Sequence, residues 1–67
     1  MNKRQKEIFE FIKAFLTEHK YSPTVREIGE DVGLKSSSTV HGHLDKMREK
    51  GFINFTNSRS RTLQILR

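Results

Sequence analysis

Apolar residues recur at helical spacing through the first fifty positions and then change to strand-like runs. That change of period predicts the architecture. Between Arg4 and about His19, the residues Ile8, Phe11, Ile12 and Phe15 fall three or four apart, with Phe9 and Leu16 widening the stripe. This spacing predicts a helix that makes the largest contribution to the core. Tyr21-Ser22-Pro23 ends it, because proline disfavours helical backbone in the preceding residue and has no amide hydrogen to donate. Thr24-Val25-Arg26-Glu27 then matches a capping box, in which the Thr24 hydroxyl accepts from the Glu27 amide and the Glu27 side chain reaches back to the Thr24 amide. Val25, Ile28 and Val32 give this second, short helix its inner stripe, and Gly33 suits the left-handed residue that closes it.

A third helix is expected between Gly33 and Gly51, with Ser36 or Ser37 as its N-cap. On a helical wheel Leu44 and Met47 fall within about 40° of Val40, and the three form its buried stripe. Ser38, Gly42, Asp45 and Glu49 land on the far side. A glycine inside a helix costs roughly 1 kcal/mol relative to alanine, so an outward-facing Gly42 weakens the helix without filling a core, as if something must approach closely there. Beyond Gly51, Phe52–Phe55 and Thr62–Leu66 read as the strands of a β-hairpin, separated by a polar run whose tip carries Arg59 and Arg61. The fold class expected is α+β, mostly α: a three-helix winged helix-turn-helix with a C-terminal two-stranded wing, forming one domain over residues 1–67.

Composition narrows the function. A chain of 67 residues has a thin core and little room for a concave catalytic site. It has no cysteine and so neither a disulfide nor a thiolate metal site, and three scattered histidines do not make up a zinc set. His41 and His43 lie about 200° apart around the helix and cannot chelate one ion as an i, i+4 pair does. The sequence contains no nucleophile elbow, oxyanion loop, paired carboxylates or phosphate loop, so no catalytic residue, metal or cofactor is expected. No apolar run approaches the roughly 18 residues of a membrane span, and the N-terminus does not read as a signal peptide; a cytoplasmic, nucleoid-associated protein is the expectation.

The net charge is +5, and all of it lies in the second half. Residues 1–34 carry equal numbers of acids and bases, whereas residues 35–67 hold Lys35, Lys46, Arg48, Lys50, Arg59, Arg61 and Arg67 against only Asp45 and Glu49. A neutral platform joined to a cationic half points to a polyanion. The start of the third helix combines exposed amides, partial positive charge and small hydroxyl side chains, which together suit phosphates and base edges. Ser36, Ser38 and Thr39 can donate or accept there, and His41 can bond a base edge or a phosphate. Asp45 and Glu49, further along the same face, would repel phosphates, so only the first two turns are expected to enter a groove. Arg59 and Arg61 are candidates for the backbone or the minor groove, and Arg26, Lys35 and Ser37 for phosphates near the turn. The plainer readings are an ordinary solvated helix face, solubilising loop arginines and an exposed structural Arg26. His43, on the Val40 and Leu44 side, reads as a packed structural residue, and His19 as a polar group in the last turn of its helix.

The strings R-Q-K-E-I-F-E-F-I-K, Y-S-P-T-V-R-E-I-G-E-D-V-G-L, S-S-S-T-V-H-G-H-L and K-G-F-I resemble the N-terminal DNA-binding domain of the LexA family of SOS repressors, in particular its Gram-positive branch. The likeness covers Arg4 to Leu66. It implies a winged helix-turn-helix in which Ser36, Ser38, Thr39, His41 and Gly42 face the bases of a palindromic operator with GAAC/GTTC-type half-sites. Full-length members continue into a dimerising, self-cleaving domain with an Ala-Gly scissile bond. Here the sequence stops at the wing and its one alanine, Ala14, precedes phenylalanine, so self-cleavage does not carry over. An excised domain or a small stand-alone regulator of phage or mobile-element type is expected.

The leading expectation is therefore a sequence-specific duplex-DNA binder acting as a repressor of SOS or phage promoters. Two copies would occupy a palindrome, weakly paired on the DNA, with no membrane or small-molecule partner. The rival is a winged-helix module that binds and modulates a host regulator, against which the cationic half argues. A non-specific architectural binder is disfavoured by Gly42 and the hydroxyl cluster, neither of which helps neutralise charge.

Overall fold

In a computed structural model, which describes residues 1–56, 59 and 61–66, three helices precede a two-stranded antiparallel sheet. Asn57, Ser58 and Ser60 of the expected wing tip, and Arg67 of the cationic half, lie outside the described residues. Helix α1 spans Lys3–His19, one residue earlier than expected, because Asn2 and Gln5 form a capping box of their own: the Asn2 side chain accepts from the Gln5 amide at 2.8 Å. Lys20, at φ 66°, closes α1 in the left-handed region and donates its amide to the Leu16 carbonyl.

Helix α2 spans Val25–Val32 with the expected box at its start: the Glu27 amide donates to Thr24 Oγ1 at 3.1 Å, and the Thr24 amide to Glu27 Oε1 at 2.8 Å. Its last turn is closed by Gly33 at φ 77° and by the Leu34 amide, which donates to the Gly29 carbonyl. The orphan Val32 carbonyl accepts from Arg4 Nη1 of α1 at 2.6 Å. Gly29, which the sequence reading passed over, is required here. A Cβ at this position would sit 2.8 Å from the Leu34 carbonyl oxygen, so only glycine lets the turn fold back on α2.

Helix α3 spans Ser37–Glu49, and of the two candidate N-caps it is Ser36 that accepts, from the Thr39 amide at 3.4 Å. Strands β1 (Ile53–Asn54) and β2 (Gln64–Ile65) pair Ile53 with Ile65 and Asn54 with Gln64. The ladder is shorter than the apolar runs predict because its flanking amides are taken elsewhere. The Phe52 amide goes back to the Met47 carbonyl, and the Thr56 amide goes to the Thr62 hydroxyl.

Ile8, Phe9, Ile12, Ile28, Val40, Leu44, Met47, Ile53 and Leu63 form the buried core where α1, α2, α3 and the wing meet. The buried stripe of α1 is rotated from the expected one. Phe9 turns inward to meet the Phe52 ring edge-on at 6.2 Å, whereas Phe11 and Phe15 are only half-buried on the flank, with Phe15 packed against His19 and Tyr21. Phe52, at the entry to β1, accompanies the rotation by supplying the ring that Phe9 turns to meet. Among the described residues no helix is long and apolar enough to cross a membrane.

Candidate nucleic-acid interface

Burying Val40, Leu44 and Met47 turns the opposite side of α3 outward. Ser36, Ser37, Ser38 and Thr39 are all exposed, and the hydroxyl of Ser36 caps the helix. One turn on, Gly42 is exposed, and a Cβ there would meet nothing within 4 Å. The protein itself therefore makes no steric demand for glycine at this position. His41 is half-buried beside the wing, its ring centroid 6.4 Å from that of Phe55.

A groove flanks the start of α3 on each side. On one side a pocket of about 200 Å³ separates α3 from the wing and is lined by His41, Phe55, Arg59 and Thr62. Beside it on the same flank, a larger groove of about 580 Å³ runs across α2 and the turn, lined by Val25, Arg26, Leu34, Lys35 and Ser37; on the opposite flank a depression of about 240 Å³ is lined by Gln5, Thr39, Gly42 and Lys46. The first two turns of α3 thus form a small-residue ridge with Arg59, Arg26 and Lys35 along one flank and Lys46 along the other.

The structure brings most of the sequence-predicted residues to this face. Lys35 and Arg59 are exposed and, among the described residues, make no ion pair. Arg26 makes only a loose bridge of 3.8 Å to Glu30 with its side chain 88% exposed, so it is available to a ligand. Arg61 departs from the expected pattern. Its guanidinium turns in to α2, donating to both carboxylate oxygens of Glu27 at 3.1 and 3.3 Å and to the Ser22 carbonyl at 3.1 Å. It also lies 4.9 Å from the Tyr21 ring centroid.

Other residues support the face without having been singled out in the sequence. Arg48 stacks on Phe55 at 4.1 Å, donates to the Phe55 carbonyl at 3.1 Å and pairs with Asp45 at 3.2 Å. It thereby ties the wing to α3 and offsets the acid that would otherwise repel phosphate. Gln5 Nε2 lies 3.4 Å from Nδ1 of half-buried His43, which fixes the inner side of α3 on α1 and gives His43 its expected structural setting. Arg48 with Asp45 at i, i+3 and Gly29 as an isolated glycine within a helical pattern are local signals, whereas Arg48 with Phe55 and Gln5 with His43 meet only through the fold. Glu27 holds its carboxyl below the usual carboxylate value, chiefly through the Thr24 amide, which outweighs the opposing effect of desolvation, and further through Arg61.

Comparison with known proteins places this geometry in a family. The model of the LexA DNA binding domain matches residues 1–62. LexA repressors of Bacillus mycoides (strain KBAB4), Bacillus thuringiensis (strain Al Hakam) and Bacillus anthracis are each 52% identical over 66 residues, covering 98% of this chain and 32% of theirs. The chain thus spans about a third of the length of these relatives.

Proposed function

Since the chain belongs to the LexA DNA binding domain family, we propose that it is a sequence-specific duplex-DNA reader that represses transcription by occupying promoter operators. The observation that carries this reading is the exposed start of α3, where small hydroxyl residues and the empty space at Gly42 are flanked by Arg26, Lys35 and Arg59 on one side and Lys46 on the other. Ser36, Ser38, Thr39 and His41 meet base edges in the major groove, and Gly42 lets the backbone approach them. Ser37, Lys35 and Arg26 contact phosphates beside the turn, and Arg59 contacts the backbone or minor groove from the wing. The operator is palindromic and takes two copies, which pair weakly on the DNA. The protein works in the bacterial cytoplasm or nucleoid, on SOS or phage promoters, by occlusion alone with no bond-making step.

A lone module of this kind buries roughly 600–1,000 Å² on DNA, so affinity for a single half-site is modest. Titration of operator and scrambled duplexes over a range of salt tests the proposal. Binding should weaken linearly in log salt, by a slope of about 0.9 per phosphate contacted, with the operator preferred throughout. Equal affinity for both duplexes at every salt concentration would overturn it.

A further inference from the structure

The guanidinium of Arg61 is spent inside the protein. It forms a two-pronged bridge to Glu27, donates to the Ser22 carbonyl and packs on Tyr21. Its backbone sits at φ 57°, a region that residues with a Cβ enter rarely and keep only when their surroundings hold them. Two residues on, the Leu63 amide donates to the hydroxyl of buried Ser22 at 3.2 Å. The second half of the wing is therefore tied at two points to the turn between α1 and α2. Glu27 is also the residue that closes the α2 capping box, so one carboxylate joins the first turn of α2 to the wing.

We infer that Arg61 is a positioning residue: it straps the wing to the start of α2, so that Arg59 and the reading end of α3 meet DNA in a fixed relation. This rests on the reading of the face as a DNA-binding surface. The physical advantage is preorganisation. A wing already held in place loses less freedom when Arg59 engages the backbone, and the saving counts most where α3 is locked in register on its operator. On a scrambled duplex, binding is driven by charge and tolerates a loose wing.

Two substitutions separate strap from phosphate contact. Glu27→Gln keeps the capping box, which accepts glutamine as readily as glutamate, but weakens the bridge. Arg61→Lys keeps the charge but loses the two-pronged geometry. Operator affinity should fall by roughly threefold to tenfold in each, with the double variant no worse than either single one, because both remove the same interaction. Affinity for the scrambled duplex and the salt slope on the operator should stay at wild-type values, which a general loss of stability would not single out. In the free protein, amide hydrogen exchange should accelerate at Leu63 in both variants. It should remain unchanged at Leu66, whose amide is held by the Phe52 carbonyl at the other end of the wing.

Tighter binding by Glu27→Gln together with unaltered binding by Arg61→Lys would overturn the inference, since Arg61 would then be a phosphate contact restrained by Glu27. Unchanged exchange at Leu63 would overturn it without reference to DNA. A wild-type protein that prefers no duplex would overturn the DNA reading instead, and the exchange measurement would still decide whether the strap exists.

Discussion

Gly42 and Gly29 are both helix-interior glycines, and the structure gives them opposite reasons. At Gly42 a Cβ meets empty space, so Gly42→Ala should stabilise the free protein by about 1 kcal/mol, the ordinary helix-propensity gain, and raise Tm by roughly 4–8 °C. If the space is reserved for DNA, the same variant should bind its operator at least about fivefold more weakly, since even 1 kcal/mol of lost contact is a factor of that size. Melting curves and duplex titrations on one preparation check both halves; a stabilised variant with undiminished affinity would show that the face does not touch its ligand at Gly42. The reading residues divide in a second testable way. His41→Ala should lower preference among base sequences, whereas Arg59→Ala should weaken all duplexes alike and reduce the salt slope by about 0.9, and equal effects of the two would remove the distinction between base and backbone contacts. Glu27 adds a pH dependence whose sign follows from its lowered folded pKa. The unfolded chain takes up the proton first, so the stability this group contributes is complete above its ordinary value near 4.5 and is lost as pH falls through the lower, folded one. Urea midpoints measured on the acid side of that value should decline less steeply in Glu27→Gln than in the wild type.

At the scale of elements, what could be read from sequence was whatever is decided within one turn of helix. The Thr24 box, the Ser36 cap and the left-handed Gly33 are local hydrogen-bond arrangements with fixed spacing, and all three stand where the pattern puts them. The rotated stripe of α1 could not be read, because periodicity identifies a face but not which neighbour will cover it; Phe9 turns in to a core that includes Phe52, more than forty residues away. The short strands and the inward turn of Arg61 have the same origin, in bonds that span from five to nearly forty residues. The candidate site divides along this line: the hydroxyls of α3 and Gly42 were legible, whereas the contacts by which Arg48, Phe55 and Glu27 hold the wing against α3 and α2 were not. Gly29 tests how far the turn depends on close approach. Gly29→Ala brings a Cβ to 2.8 Å from the Leu34 carbonyl oxygen, a backbone atom that cannot swing aside, and to 3.5 Å from Val40 Cγ2. The turn must open, at a cost of roughly 1–3 kcal/mol, and α3 must shift on α2. Denaturant melts should show the loss, and operator affinity should fall even under conditions where the variant is fully folded. An unaltered melt would mean that the turn relaxes freely.

At the scale of the molecule, charge and shape argue for two copies acting almost independently. Acids and bases balance over residues 1–34, where Glu7, Glu10 and Asp31 share one groove with Arg4, while Lys35, Lys46 and Arg59 lie on or beside α3 and the wing. Such asymmetry steers the cationic face toward a polyanion while the neutral half adds no pull of its own. Large exposed apolar side chains among the described residues are Met1, Tyr21 and Leu66, on three different segments, which falls well short of the roughly 1,000 Å² of matched surface that a stable dimer needs. The backbone measures 25 × 25 × 24 Å, and half-sites one helical turn apart stand about 34 Å from each other. Two bodies of this size fit side by side on one face of the duplex, with contact restricted to side chains at their margins. The chain should accordingly sediment as a monomer, and a filled half-site should improve binding at its neighbour by less than about tenfold, the effect of a contact worth at most 1.4 kcal/mol. Inserting half a helical turn between the half-sites should change affinity by no more than that factor. A flexible peptide joining two copies should raise occupancy of the unspaced palindrome by roughly 10²–10⁴, because the second binding event becomes intramolecular. Coupling much stronger than tenfold between unlinked copies, abolished by the insertion, would instead reveal an interface between bound copies that the free surface does not display.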